Sequence, residues 1–169
     1  MVSKQILIAL GMLAAVAVCL AVAARALGAH DAAEVGAAER LAMALRWLLV
    51  PGLCLLAGLG ATANRRFFSS EAIDGEPPSR PGAFEINLRY NTNTLEQTVL
   101  AAIAWSGLAL ALPARDLSLI PALAGLFAVG RAAFWIGYLY APWARAFGLG
   151  LTFYPTAAAL IWLAVRMFA

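Results

Sequence analysis

Five apolar stretches, each about as long as a bilayer interior is thick, alternate with short polar breaks along the chain. Residues 5–24 carry no charge and, at 1.5 Å per helical residue, reach across the roughly 30 Å of hydrocarbon. Because this run follows Lys4 and leads to Ala24-Arg25-Ala26, a cleavable signal peptide is the alternative. A retained first membrane helix is the expectation. A polar connector with His30, Asp31, Glu34, Glu39 and Arg40 follows. The second apolar stretch runs from Leu41 to Ala63, uncharged after Arg46, and closes at Asn64-Arg65-Arg66. Residues 65–88 form the only long hydrophilic loop, broken by Pro77, Pro78, Pro81 and Gly82. After Pro81-Gly82 the spacing predicts a helix that carries Arg89, Asn93 and Glu96 and continues through the uncharged run Gln97–Ala114, with Pro113 as its stop. Arg115-Asp116 marks a tight connection to an antiparallel fourth span, Leu117–Tyr140. Pro142 breaks the helix, Arg145 opens the next segment, and 146–165 is the fifth span, ending near Arg166.

Two series of polar residues interrupt this pattern. Arg89, Asn93 and Glu96 stand at i, i+4 and i+7 and share one helix face. Arg131, Tyr138 and Arg145 recur every seven residues, in and just after the fourth span. An arginine near mid-bilayer costs about 2.5–3.5 kcal/mol on insertion scales, so Arg131 is expected to face the protein interior or a polar cavity. Glu96 is the one acidic residue placed inside a span. Either an Arg131–Glu96 ion pair or direct contact with a ligand would account for Arg131, and the two roles are compatible. Trp135, Tyr138, Tyr140 and Trp143, taken singly, fit an interfacial aromatic belt.

Composition agrees with the pattern and narrows the function. Of the 169 residues 63% are hydrophobic and 12% charged, and the mean hydropathy is +0.82, well beyond the soluble average of roughly 45–50% apolar and 25% charged. The chain is an all-α integral membrane protein by this measure. Its net charge of +3 is scattered between apolar runs, which excludes a nucleic-acid stripe. Cys19 and Cys54 sit in apolar runs as small hydrophobes and suggest neither a disulfide nor a metal site. With His30 the single histidine, a His-based metal site or catalytic triad has nothing to build on. Gly58-x-Gly60-x-x-Ala63 matches a dinucleotide fingerprint in letters only, since no strand precedes it. Close helix packing is the better reading there and at Gly107-x-x-x-Ala111. Counting Lys and Arg by side puts Lys4, Arg65, Arg66, Arg80, Arg89 and Arg145 against Arg25, Arg40, Arg46, Arg115 and Arg166. This favours a cytoplasmic N-terminus and a site near the cytoplasmic face.

Arg89-x-x-x-Asn93-x-x-Glu96 at the start of one span, with Arg131-x5-Gly137-Tyr138-x6-Arg145 at the end of the following hairpin, resembles the MAPEG family over about residues 41–168. These are the membrane-associated proteins of eicosanoid and glutathione metabolism, among them microsomal glutathione transferases and leukotriene C4 synthase. The resemblance implies a polytopic four-helix bundle over residues 41–169, preceded here by an extra span and connector over residues 1–40. It also implies a homotrimer with glutathione, as co-substrate, between neighbouring subunits. Arg89, Asn93, Glu96 and Arg131 would then hold the polar ends of the tripeptide, Tyr138 would add a hydrogen bond and Arg145 would face the thiol; Arg65 or Arg66 would match a further family arginine. The chain departs from the pattern at Phe134, where several members have tyrosine, and at Ile136, where a polar residue is the rule.

The chemistry of the residues is compatible with those roles. Glutathione has two carboxylates, which suit guanidinium groups, and an ammonium, which suits a carboxylate such as Glu96. Its thiol, with a pKa of about 8.5, is a few per cent thiolate at pH 7, and a nearby arginine favours the anion. The leading expectation is a glutathione-dependent transferase or peroxidase acting on a lipophilic small molecule or lipid hydroperoxide delivered from the membrane. A non-catalytic scaffold that binds membrane lipid or a partner, and a small transporter using Arg131 and Glu96, are the alternatives.

Overall fold

The computed structural model describes residues 3–28, 34–68 and 82–168, so His30, Asp31 and most of the polar loop at 65–88 lie outside the described residues. Six α-helices make up the described chain: α1 Lys4–Ala26, α2 Ala37–Trp47, α3 Leu49–Phe67, α4 Ala83–Ala111, α5 Leu119–Tyr140 and α6 Ala146–Phe168. Helices α2 and α3 together form one span, so five helical segments are long and apolar enough to cross a membrane. This is an integral, multi-pass membrane protein.

The helix ends fall at capping and breaking residues. Ser3 caps α1 through its side chain, which accepts from the Ile6 N–H. Gly82 precedes α4 and Pro113 follows its last turn, with a single 3-10 turn at Ala114–Asp116 leading into α5. One boundary was not anticipated. The stretch expected as a single helix from Leu41 is divided at Leu48, three residues before Pro51. Pro51 has no N–H to offer the Trp47 carbonyl four residues back, so the chain re-starts with the proline in a first turn, where it is tolerated.

The bundle has two interiors stacked along its axis. At one end, Ala101, Ala104, Trp105 and Leu108 of α4 pack on Ile120, Leu123, Ala124 and Phe127 of α5, with Leu151 of α6, in an apolar core. At the other end Tyr90, Phe134 and Tyr138 form a small aromatic cluster, against which Trp135 stacks with its ring 4.5 Å from that of Tyr90. Beside this cluster, α4 buries Asn87, Asn91, Thr94 and Gln97, one polar file at i, i+4, i+7 and i+10. The amides of Asn87 and Asn91 donate to Thr62 of α3, and Asn87 also donates to the Gly58 carbonyl 2.9 Å away. Gly58 is required by this contact, because a Cβ there would run into Asn91 Oδ1 and the Tyr90 ring. Gly60 has open space around it. The small-residue reading of this stretch therefore holds at one glycine of the two. At the far end of the bundle, Arg40 satisfies the exposed end of α4 by donating to the Leu112 carbonyl at 2.6 Å while pairing with Glu34.

Candidate functional site

Where α4 begins and α5 ends, the two polar series meet. Arg89, Asn93 and Glu96 from α4, Tyr138 from α5 and Arg145 from the α5–α6 turn line one cleft of about 410 Å³, together with Leu88, Thr92, Phe134 and Leu149. The convergence has a local cause. Pro142 ends α5, and the chain folds back so tightly that a Cβ at Gly137 would sit 2.6 Å from the Ala144 carbonyl oxygen. Glycine at 137 admits that turn, which lays the Arg145 guanidinium over the Tyr138 ring, 4.4 Å from its centre. Tyr138 Oη accepts a 3.0 Å hydrogen bond from Arg89 Nη1, which ties the α4 series to the α5 series; Arg89 also pairs with Glu85 one turn back.

Arg131 is placed differently from the other five. It is fully buried beneath the cleft, with Nη1 donating to Asn93 Oδ1 at 2.8 Å and Nη2 to Thr152 Oγ1 at 2.7 Å. Its guanidinium lies 4.7 Å from the Phe134 ring centre and 5.7 Å from that of Phe127. The expected Arg131–Glu96 ion pair is not formed. Glu96 is exposed on the cleft wall and, among the described residues, accepts only from Asn93 Nδ2 at 3.4 Å, so the asparagine stands between the two charges. The physical reason is depth: a carboxylate kept in the cleft stays hydrated, whereas drawing it down to Arg131 would desolvate both ions. Arg131 thus acts on the cleft through Asn93. It holds the amide oxygen and thereby turns the amide nitrogen toward Glu96. The Phe134 departure from the family pattern also gains a role, since a ring without a hydroxyl covers the guanidinium face. Ile136 is 68% exposed and does not line the cleft. Arg65 and Arg66 do not line the cleft; Arg66 stacks 5.9 Å from the Phe84 ring at the base of α4.

A stability measurement checks this arrangement. Arg131→Met should lose two charge-assisted hydrogen bonds, about 1.5–3 kcal/mol each, and should recover the several kcal/mol that a buried cation costs, for a net change within about 2 kcal/mol. Glu96→Gln should leave thermal unfolding in detergent unchanged. If each substitution cost about 3–5 kcal/mol, the buried ion pair would be reinstated.

The fold and this cleft define a polytopic helical membrane protein that gathers cations, a carboxylate and a phenol in one cleft at one end of the bundle. A model of the MAPEG family matches residues 6–165, nearly the whole chain, and the protein belongs to that family. The match begins in α1, upstream of the region that carries the two motifs. Among curated proteins the chain is 35% identical over 121 residues to Transmembrane protein 79 of Mus musculus and 32% identical over 121 residues to that of Bos taurus. Each alignment takes in 72% of this chain and only 28% and 27% of the respective relatives, so the chain spans about a quarter of their length. No solved structure matches it significantly.

Among the described residues no group of three or more His, Cys, Asp or Glu could hold a metal ion. Sequence reasoning did not find the buried polar file of α4 or Thr152, the second acceptor of Arg131. The file was legible in principle, because Asn87, Asn91, Thr94 and Gln97 keep the same helical period as Arg89, Asn93 and Glu96 one face over.

Proposed function

We propose that the cleft binds glutathione and that the protein is a glutathione-dependent transferase or peroxidase for lipophilic electrophiles or lipid hydroperoxides. The observation that carries this reading is the convergence of Arg89, Asn93, Glu96, Tyr138 and Arg145 on one cleft of about 410 Å³, inside the roughly 300–1,000 Å³ of small-ligand pockets. Arg89 is already engaged by Glu85 and Tyr138, which fixes it as a positioned charge for a carboxylate. Among the described residues Glu96 has only a long contact with Asn93, which leaves its carboxylate for the ammonium. Arg145 has no carboxylate partner among the described residues and faces the cleft half-buried, where a guanidinium favours a thiolate over a thiol. In transfer, the thiol proton leaves to solvent and the sulfur lone pair forms a C–S bond as the electrophile's leaving group departs or its double bond takes the electron pair. In peroxide reduction, the thiolate attacks the O–O bond to give an alcohol and a glutathione sulfenic acid, which a second glutathione converts to the disulfide and water.

A homotrimer, as the family resemblance implies, and a cytoplasmic position of the cleft, as the distribution of Lys and Arg favours, belong to the same reading. Purified protein should bind glutathione saturably in calorimetry and turn over at least one member of a panel of electrophiles and lipid hydroperoxides. Native mass spectrometry should show three chains. Binding without turnover would make the cleft a scaffold's ligand site, and no binding at millimolar glutathione would remove the reading altogether.

A further inference from the structure

A second cavity lies at the opposite end of the bundle, and its shape follows from how α1 is fastened. The first half of α1 packs closely on α6: a Cβ on Gly150 would lie 2.6 Å from that of the fully buried Ala15, and one on Gly11 would lie 3.4 Å from the Phe147 backbone nitrogen. The last turn of α1 is tied instead to the α4–α5 connection. Ser118 Oγ donates to the Ala26 carbonyl at 2.6 Å, and Asp116 Oδ1 accepts from the Gly28 N–H at 2.8 Å. Around and between these two attachments α1, α4, α5 and α6 bound a groove of about 810 Å³. Pro155 shapes its wall. Lacking an N–H, it frees the Leu151 carbonyl, which accepts from Cys19 Sγ at 3.9 Å.

The lining is almost wholly apolar, with Leu20, Ala23, Leu123, Ala158 and Trp162 among its residues, and Asp116 and Arg166 are the two charges on it. Asp116 is occupied by the Gly28 N–H. Arg166 donates to the Ala111 carbonyl at 3.3 Å, lies 5.0 Å from the Trp162 ring centre and has no carboxylate partner among the described residues. Arg25 and Arg115, both exposed, stand at the same end of the bundle, likewise without an ion pair among the described residues. A preformed apolar groove held at both ends and set among membrane-spanning helices, with the unpaired Arg166 on its lining and Arg25 and Arg115 at the same end of the bundle, matches one kind of molecule.

We propose that this groove is a lipid site, in which one acyl chain of an anionic phospholipid lies between α1 and α6 with its phosphate at Arg166. The ligand is a resident of the membrane, and the site is independent of the glutathione cleft. An exposed ion pair between Arg166 and an anionic headgroup is worth enough to favour that lipid by up to about fivefold.

The test is native mass spectrometry of the detergent-purified full chain, incubated with phosphatidylglycerol and phosphatidylcholine of identical acyl chains. The wild type should retain phosphatidylglycerol one to one with a preference of up to about fivefold over phosphatidylcholine. Arg166→Gln should abolish the preference, and Ala158→Trp, at an exposed lining position, should lower retention of both lipids. A benzoylphenylalanine placed at Leu20, a lining residue that is 66% exposed, should cross-link to lipid on irradiation. Equal retention of the two lipids in wild type and Arg166→Gln would overturn the proposal. So would a chain-to-chain cross-link from position 20, which would show that a second copy covers the groove.

Discussion

Arg145→Ala is expected to leave the protein folded and assembled, to lower glutathione turnover by roughly a hundredfold, and to change glutathione affinity far less. The structural half of this expectation rests on what Arg145 touches. Its side chain packs on the Tyr138 ring, 4.4 Å away, a contact worth about 0.5–1 kcal/mol at a partly exposed site, and the residue precedes α6, to which it gives only its backbone carbonyl. The chemical half rests on charge. A guanidinium close to a thiol favours the thiolate, so removing it should raise the thiol pKa of bound glutathione by about one unit toward its free value near 8.5 and thin the nucleophile at neutral pH. In the proposed function binding rests on Arg89 and Glu96 rather than on Arg145, so affinity should persist. Thiolate absorbance in the ultraviolet, titrated against pH with glutathione bound to each protein, measures the effect directly. An identical thiol pKa in wild type and variant would take Arg145 out of the reaction and move the scaffold reading ahead.

The helices and their ends were legible in the sequence because a bilayer allows few alternatives. A backbone that crosses hydrocarbon must satisfy its own hydrogen bonds, so five apolar runs, with breaks such as Gly82, Pro113 and Pro142 between them, dictate helices with little competition. The cleft was legible for a related reason: polar side chains that recur at helical spacing inside such runs must share a face, and two such faces on adjacent helices meet. Partner choice was not legible. Arg131 and Glu96 were the two opposite charges at membrane depth, and nothing in their spacing revealed that Asn93 would stand between them or that Thr152, 21 residues further on, would take the other donor. Nor did composition reveal which glycines matter. Gly107, singled out for close packing, faces the mobile end of the Leu163 side chain, whereas Gly137 and Gly148 face backbone.

That last distinction makes the second large effect predictable. Gly148→Ala should destabilise the protein by about 3 kcal/mol, the upper end of the usual range for overpacking, because the neighbours it meets cannot rotate away. A Cβ at 148 would lie 2.6 Å from Phe134 Cα and 2.5 Å from the Gly130 carbonyl oxygen, and would collide with the Phe134 nitrogen, so α6 as a whole would have to move off α5. Gly130 faces the same crossing from the other helix, with a Cβ there 3.0 Å from the Gly148 carbonyl oxygen. The consequences reach the cleft, since Arg131 and Phe134 flank the crossing on α5 while Arg145 and Leu149 flank it on α6. Gly125→Ala in α5 is the matched control: nothing lies within 4 Å of its Cβ, and replacing a helical glycine with alanine should then gain about 0.5–1 kcal/mol. Thermal unfolding in detergent should therefore shift in opposite directions for the two variants, down by roughly 10 °C for Gly148→Ala and up by a few degrees for Gly125→Ala. Equal shifts would show that α5 and α6 do not approach through their glycines, and the position of Arg145 over Tyr138 would lose its structural basis.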